Sequence, residues 1–278
     1  MHSFELYHNY EKHEWTLKDI PWDQIDRDVV KPEYIKLARS AVMGECNSVA
    51  ALHGFLNESS DDYDFAAYAS IWGYQEIKHH YAFRTWLSHI SEDTGVDDTR
   101  VEATREAYPP GITVASTLAT NIISELTVCH VYSRLALHVN EPVLKKILSL
   151  ASQDESRHAR EFTYYARRRI ERYPAELPSV LETLYVYVSD PEHPVKHPVS
   201  VFKGQMLEKD GGETIDDSFT YFMQVDGSNL ERLRTIIMNR FSQLTGYKLE
   251  RPAQIRRALI DAADRIDSSR ASALSAPN

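Results

Sequence analysis

The sequence predicts an all-α protein whose first part is a bundle of four long helices. Apolar residues recur at helical spacing through most of the first 172 positions. Segments of turn-forming residues separate these helices, and Tyr108-Pro109-Pro110-Gly111 is the clearest of them. The others are the polar stretch at residues 57–62, Thr94-Gly95, and a tight corner at Asn140-Glu141-Pro142. No segment alternates between apolar and polar residues as a half-buried strand does.

The four predicted bundle helices follow an N-terminal arm of 31 residues, which we expect to be extended and to pack through its aromatic side chains. The helices should cover about Pro32–Glu58, Asp62–Ser91, Ile112–Val139 and Glu141–Arg172. A short amphipathic segment at about Thr99–Ala107 is predicted between the second and the third of them. Residues 173–268 are predicted to form a C-terminal helical extension of the same domain. A helical pattern covers Leu177–Val188, and four weaker ones cover about Val199–Glu208, Asp216–Val225, Leu230–Thr245 and Pro252–Asp267. Residues 269–278, rich in serine and alanine, are predicted to be a disordered tail.

Composition and charge exclude several classes of function. The chain has 278 residues and a net charge of −10, which argues against general nucleic-acid binding. Residues 1–15 contain no apolar run of the kind found in signal peptides, and the two cysteines form no disulfide framework, so a cytoplasmic protein is expected. The apolar stretch Ile112–Val131 could nominally span a bilayer, but Asn121 and Glu125 near its centre favour a buried helix and no membrane.

Each bundle helix places a glutamate within its apolar stripe, and these residues are Glu45, Glu76, Glu125 and Glu155. An ionised carboxylate is costly to bury unless a cation or a proton compensates it. In each predicted hairpin the two glutamates lie about 15 residues from the turn, so at about 1.5 Å rise per residue they should meet at one height. The pattern therefore predicts a layer of buried acid across the bundle.

Two of these glutamates begin a Glu-x-x-His sequence, which puts both side chains on one helix face. The histidines are His79 and His158, and His80 is a competing candidate for the first of them. One such sequence is expected by chance, but the matched heights of all six groups indicate a site for two metal ions in a four-helix bundle. The negative charges of four carboxylates balance the positive charges of two divalent ions. Oxygen and imidazole ligands without thiolates favour iron or manganese over structural zinc.

At these residues the sequence resembles the ferritin-like di-iron carboxylate superfamily, and most of all the soluble acyl-carrier-protein desaturases. Asp154-Glu155-Ser156-Arg157-His158 matches the Asp-Glu-x-Arg-His motif of those enzymes. Glu76-Ile77-Lys78-His79 resembles their Glu-Glu-x-Arg-His motif, with Gln75 and Lys78 where glutamate and arginine are usual. The resemblance covers about residues 32–172.

The resemblance implies a ligand set, a cofactor and a reaction. The ligands would be Glu45, Glu76, His79, Glu125, Glu155 and His158. Glu76 and Glu155 would bridge two iron ions, one of which manganese could replace, while Glu45 and Glu125 would be terminal ligands. Dioxygen and an electron donor such as ferredoxin would support desaturation or hydroxylation of an acyl chain, carrier-bound or as a small molecule. A homodimer is expected.

Four further residues are candidates for a layer behind the ligands. Asp154 would orient an imidazole, as metal-bound histidines usually require, or would be a solvated acid. Cys129 lies one turn after Glu125, where relatives place a threonine hydroxyl, and would deliver protons or simply fill the core. Trp72 and Tyr132 would relay electrons or pack in the core.

An acyl carrier protein is acidic, so an acidic chain that binds one must offer a local basic surface. Arginines cluster at the end of the fourth helix, and they are Arg167, Arg168, Arg169 and Arg172. They are candidates for docking the carrier, although cations at this end of a helix also interact favourably with its dipole.

Other functions remain alternatives. An arylamine N-oxygenase would need a third histidine where Ala151 stands, whereas an aldehyde-deformylating oxygenase or another oxidase of specialised metabolites would share all six ligands. A ribonucleotide reductase small subunit usually has an aspartate among its ligands. Iron storage or ferroxidase activity leaves the residues beyond Arg172 without a role. A metal-free interaction protein would show neither iron nor an absorption change when oxygen is added to its reduced form.

Overall fold

The computed structural model describes residues 1–90, 98–99, 111–190, 195 and 217–275, and every regular element in these residues is helical. The α-helices are α1 (His2–His13), α2 (Pro32–Glu45), α3 (Ser48–Glu58), α4 (Tyr63–Ile90), α5 (Val114–His138), α6 (Pro142–Arg172), α7 (Leu177–Val188), α8 (Asp217–Asp226), α9 (Leu230–Thr245) and α10 (Pro252–Ser275). Short 3-10 turns lie at Leu17–Asp19, Trp22–Gln24, Arg27–Val29, Pro174–Glu176 and Gly227–Asn229. None of the helices described combines the length and the apolar character needed to cross a lipid bilayer.

The chain forms two compact units. The first comprises Met1–Pro109, Val128–Ser156 and Phe202–Ser228, and the second comprises Pro110–Thr127, Arg157–Val201 and Asn229–Asn278. Helices α5 and α6 each contribute residues to both units.

In the first unit the long helix α4 packs against α1, α2 and α3, and α2 also packs against α8. The inner face of α2 is wholly buried at Tyr34, Leu37 and Val42, which follow the spacing of a core-facing helix. Phe55 of α3 meets Trp72 of α4 edge to face, with ring centroids 5.2 Å apart. These contacts fix α4, which carries two of the predicted ligands.

The predicted corner before α6 is present, and a buried carboxylate caps the first turn of this helix. Glu141 is fully buried, and its carboxylate accepts hydrogen bonds from the backbone N–H of Leu144 at 2.6 Å and of Asp26 at 3.2 Å. The indole Nε1 of Trp86 donates to the same carboxylate at 2.7 Å. Glu141 therefore joins the start of α6 to α4 and to the N-terminal segment.

In the second unit α7 packs against α9 and α10. Glu176, just before α7, accepts from the backbone N–H of Ala115 in the first turn of α5 at 2.9 Å and from Arg169 of α6 at 2.6 Å. Helix α9 ends at Thr245 and is capped by Gly246, whose φ of +77° is the left-handed conformation that a glycine after a helix adopts without strain.

Two N-terminal predictions differ from the structure. Residues 2–13 form helix α1 rather than an extended arm, because Ser3, Leu6 and Tyr10 share one face and are buried. The single helix predicted over 32–58 is two helices. Cys46 Sγ donates to the Met43 carbonyl and Ser48 Oγ donates to the Glu45 carbonyl, so side chains take backbone acceptors that a continuous helix would use.

At the C-terminus, α10 continues to Ser275, beyond the predicted end at Asp267 and into the predicted disordered tail 269–278. Residues 268–275 contain neither glycine nor proline, so nothing in the local sequence ends the helix there. Residues 276–278 lie outside the described residues, as do the helix predicted at Val199–Glu208 and most of the short amphipathic segment predicted at about Thr99–Ala107.

Candidate metal centre

The first unit brings four of the six predicted ligands together. Each offers one donor atom, and these atoms all lie within 4.8 Å of one another. Helix α2 supplies Glu45 as its last residue, α4 supplies Glu76 and His79, and α6 supplies Glu155. None of the four is more than 6% exposed. Acid that the sequence places in apolar stripes is therefore gathered at one buried point.

The two nitrogens of the His79 ring have different partners: Nδ1 faces the carboxylates of this cluster, and Nε2 faces Asp154. Nδ1 lies 3.1 Å from Glu155 Oε1 and 3.8 Å from Glu45 Oε2, and Nε2 donates to Asp154 Oδ2 at 2.9 Å. Burial alone lowers the pKa of His79, but its contacts with Asp154, Glu155 and Glu45 outweigh burial and raise that pKa well above 6.5. Without metal, the imidazolium thus offsets part of the carboxylates' charge.

Tyr132 of α5 touches the same cluster. Its hydroxyl donates to Glu45 Oε1 at 2.5 Å. Burial, and after it the negative charge of Glu45, raises the pKa of Tyr132 well above 10. The side chain is therefore a neutral phenol that orients a predicted ligand, whether or not it also exchanges electrons.

The remaining two predicted ligands lie together in the second unit. Nδ1 of His158 on α6 is 3.3 Å from Oε2 of Glu125 on α5. His158 is fully buried and Glu125 is 5% exposed. Of the Glu-x-x-His sequence on α6, Glu155 thus belongs to the first unit and His158 to the second.

The donor set of the first unit fits a first-row metal ion. Two ligands on opposite sides of such an ion, with bonds of about 2.1 Å, lie about 4.2 Å apart, which is compatible with the 4.8 Å limit on the cluster. Its donors are carboxylate oxygens and an imidazole nitrogen, the set that iron and manganese accept, and it contains no thiolate.

Of the four residues predicted to lie behind the ligands, Asp154 is fully buried and contacts His79. Asp154 thus precedes the Glu-x-x-His sequence of α6 but contacts the histidine of the one on α4. Trp72 packs against Phe55 in the core. Cys129 is half-buried on α5. His80 lies with Nδ1 3.0 Å from the backbone carbonyl of Val42, so it is His79 that faces the carboxylates.

Sequence reasoning missed two residues of the N-terminal segment. Trp15 Nε1 donates to Asp154 Oδ2 at 2.8 Å, and Glu14 accepts from Gln75 Nε2 at 2.6 Å and pairs with Lys78. Gln75 and Lys78 differ from the glutamate and arginine of the desaturase motif, and both contact Glu14. These two differences were the only feature of the sequence that could have pointed to Glu14.

The four arginines at the end of α6 all have partners within the second unit. Arg169 pairs with Glu176 at 2.6 Å and lies over the Tyr173 ring at 3.9 Å, and Arg172 lies 5.1 Å from the centroid of the same ring. Arg168 lies 4.7 Å from the ring centroid of Tyr165, and Arg167 donates to the backbone carbonyl of Gln243 at 3.2 Å. Carrier docking by this cluster stays a prediction.

No protein-family model matches the sequence, and no curated protein matches it. Among solved structures, a valine-to-alanine variant of an R2-like ligand-binding oxidase with anaerobically reconstituted Mn/Fe cofactor has a TM-score of 0.50 at 14% identity. The match covers 88% of this chain and 92% of that one. The predicted ferritin-like helical fold is confirmed. A tyrosine-to-phenylalanine variant of such an oxidase has a TM-score of 0.49, also at 14% identity and over the same shares of both chains.

Proposed function

We propose that the protein is a dioxygen-dependent oxidoreductase that holds two first-row metal ions, either two irons or one manganese and one iron. The observation that carries this proposal is the buried cluster of three carboxylates and one imidazole within 4.8 Å of one another. Burying so much acid is costly unless cations compensate its charge, and the four carboxylates of the full predicted ligand set would balance two divalent ions. The ligands would be Glu45, Glu76, His79, Glu125, Glu155 and His158.

The chain's own residues prepare such a centre in three ways. Tyr132 holds one oxygen of Glu45 and leaves the other directed toward His79. Asp154 holds Nε2 of His79, so that Nδ1 is the nitrogen presented to the cluster. Burial of every donor excludes water and strengthens these interactions. When bound, the two ions would supply electrons to dioxygen and an oxidant strong enough for C–H bonds.

Metal loading tests the proposal directly. The metal-free protein should take up about two Fe²⁺ per chain under anaerobic conditions, and its absorption spectrum should change when dioxygen is added. Glu155→Ala should lose metal, whereas Glu171→Ala, an exposed position on the last turn of the same helix, should load normally. Less than one metal per chain in the wild type would refute the proposal. Iron storage would instead give many more than two irons per chain.

Loading from an equal mixture of Mn²⁺ and Fe²⁺, followed by elemental analysis, distinguishes the two cofactors. A manganese–iron pair is a candidate because the similar solved structure carries a Mn/Fe cofactor. Equal amounts of the two metals per chain would support it, and iron alone would support the di-iron form.

The finer proposal is desaturation or hydroxylation of an acyl chain. It is supported by the match of Asp154-Glu155-Ser156-Arg157-His158 to the desaturase motif, and Ala151 stands where an N-oxygenase has its additional histidine. The reduced, metal-loaded protein incubated with acyl-carrier thioesters and dioxygen should yield a product that has lost two hydrogens or gained one oxygen, detected by mass spectrometry. Unchanged acyl chains, with dioxygen still consumed, would contradict this substrate class only.

A further inference from the structure

A carboxylate from the N-terminal segment lies behind the candidate metal centre. Glu14 follows the last residue of α1, and its side chain is only 12% exposed. One of its oxygens accepts from Gln75 Nε2 at 2.6 Å, and the other pairs with the ammonium group of Lys78. Both partners belong to α4, just before His79. Helix α1 itself packs against α4, and the hydroxyl of Ser3 donates to the carboxylate of Asp64 at 2.6 Å. These contacts fix the position of Glu14.

The ammonium group of Lys78 also reaches the residue that holds His79. Lys78 is buried, and its Nζ lies 3.0 Å from Asp154 Oδ2 and 4.0 Å from the centroid of the Trp15 ring. The same Asp154 oxygen accepts from Trp15 Nε1 at 2.8 Å and from His79 Nε2 at 2.9 Å. Three donors therefore converge on one oxygen atom of a fully buried carboxylate.

This arrangement sets the orientation of the His79 ring. The Trp15 indole stacks on it, with ring centroids 6.0 Å apart and planes inclined by 6°. Asp154 then fixes the rotation of the ring within that plane by accepting from Nε2. A metal-binding imidazole usually needs such a partner for its other nitrogen, because the partner fixes the tautomer and the direction of the free lone pair.

We propose that Glu14 is a positioning residue of the metal centre: it holds Lys78 against Asp154 and thereby fixes the His79 imidazole in the orientation that binds metal. This inference rests on the proposed function, because it assigns Glu14 a role toward the metal ions proposed there.

The chemistry of lysine explains why a second carboxylate is needed. A lysine ammonium is a compact charge on a flexible four-carbon stem, so one acceptor does not fix its position. The two acceptors on either side of Lys78, Glu14 and Asp154, do fix it. The desaturase motif has arginine at this position, and the planar fork of an arginine is oriented by a single bidentate carboxylate. Glu14 thus supplies in this chain the rigidity that a guanidinium has by itself.

Titration with Mn²⁺ alone tests the inference, with free Mn²⁺ measured by electron paramagnetic resonance under anaerobic conditions. Glu14→Gln should weaken one of the two bound equivalents by about 10- to 100-fold. The other should keep its affinity, because only one of the two proposed sites uses His79. Glu11→Gln is the matched control: it removes the same charge one turn earlier on α1, where the side chain is 52% exposed and pairs with His8 at the surface.

Substitutions of Lys78 distinguish a positioning role of Glu14 from a contribution of Glu14 to the stability of the fold. Lys78→Met should weaken the same equivalent of Mn²⁺ as Glu14→Gln does. Lys78→Arg in the Glu14→Gln background should restore the affinity for Mn²⁺ to within about 3-fold of the wild type. A guanidinium can bind the Asp154 carboxylate through two hydrogen bonds and does not need Glu14 to orient it. A merely structural contribution of Glu14 would weaken both equivalents together and would not be rescued by arginine.

Two results would overturn the inference while leaving the proposed function intact. One is a Glu14→Gln protein that binds both equivalents of Mn²⁺ as tightly as the wild type. The other is an equal loss of affinity in Glu14→Gln and Glu11→Gln. A wild-type protein that binds no Mn²⁺ and no Fe²⁺ would instead remove the proposed function itself. If Glu14→Gln does not fold, Glu14→Asp keeps the charge but shortens the reach to Lys78, and unchanged affinity in that variant would equally refute the role of Glu14.

Discussion

At the scale of single residues, hydrogen bonds to buried carboxylates decide how the candidate centre is held before metal arrives. Tyr132 is 4% exposed and Glu45 is 6% exposed, so neither can exchange its partner for bulk water. The hydroxyl–carboxylate distance of 2.5 Å is that of a charge-assisted hydrogen bond, which is stronger than one between neutral groups.

Removing this hydroxyl should destabilise the metal-free protein. We expect Tyr132→Phe to lower the free energy of unfolding by about 1.5–3 kcal/mol, the value of a hydrogen bond to a charged group. Urea unfolding in the presence of a chelator measures the change. Tyr185→Phe on α7, where the ring is 38% exposed, should stay within about 0.5 kcal/mol of the wild type. Equal unfolding midpoints for Tyr132→Phe and the wild type would show that the short contact contributes nothing.

The residues that could be predicted from the sequence are those whose chemistry conflicts with their local pattern. Glu45 and Glu155 stand in apolar stripes, and that conflict points to a cation whatever the tertiary structure is. Glu14 and Trp15 have no such signature, because their surroundings in the sequence are polar. Their role depends on α1 packing against α4, a contact that links positions 64 residues apart and that no local pattern encodes.

At the scale of helices, the start of α6 depends on one buried acid. Glu141 accepts from two N–H groups of the first turn, those of Val143 at 3.3 Å and Leu144 at 2.6 Å, and also from Trp86. A carboxylate at this end of a helix satisfies unpaired donors and interacts favourably with the dipole.

Glu141→Ala should therefore remove a helix cap and leave the buried Trp86 N–H without its acceptor. A lost cap costs about 0.5–2 kcal/mol and an unsatisfied buried donor about 1–3 kcal/mol, so the free energy of unfolding should fall by about 2–4 kcal/mol. Chemical unfolding followed by circular dichroism measures it. Glu171→Ala, at an exposed position near the other end of α6, should be nearly neutral. A small effect at Glu141 would mean that water replaces the carboxylate.

Helix boundaries were the least predictable elements. The pattern over residues 32–58 predicts one helix, since both halves carry an apolar stripe in phase. The break after Glu45 comes from side-chain hydrogen bonds of Cys46 and Ser48 to backbone carbonyls, and such bonds compete with the helix without changing the apolar pattern. The break makes Glu45, one of the predicted ligands, the last residue of α2.

At the scale of the whole chain, metal binding and folding should be linked. The fold class follows from periodicity alone, and three of the four weak helices predicted beyond α7 are present as α8, α9 and α10. The cluster of Glu45, Glu76 and Glu155, in contrast, concentrates like charge in the first unit, which costs stability until cations arrive. A ligand that binds only the folded state stabilises it in proportion to the logarithm of its concentration over its dissociation constant.

We therefore expect Fe²⁺ or Mn²⁺ at about 100 times the dissociation constant to raise the free energy of unfolding by about 2.7 kcal/mol for each ion bound. For a chain of this size, each bound ion corresponds to a rise in Tm of roughly 5–10 °C, measured by anaerobic thermal unfolding with and without metal. Glu155→Ala should abolish the rise. Its metal-free form loses the buried pair between Glu155 and Nδ1 of His79, 3.1 Å apart, so its own Tm should be lower, and the shift is measured against that metal-free variant. An unchanged Tm shift in that variant would remove Glu155 from the ligand set.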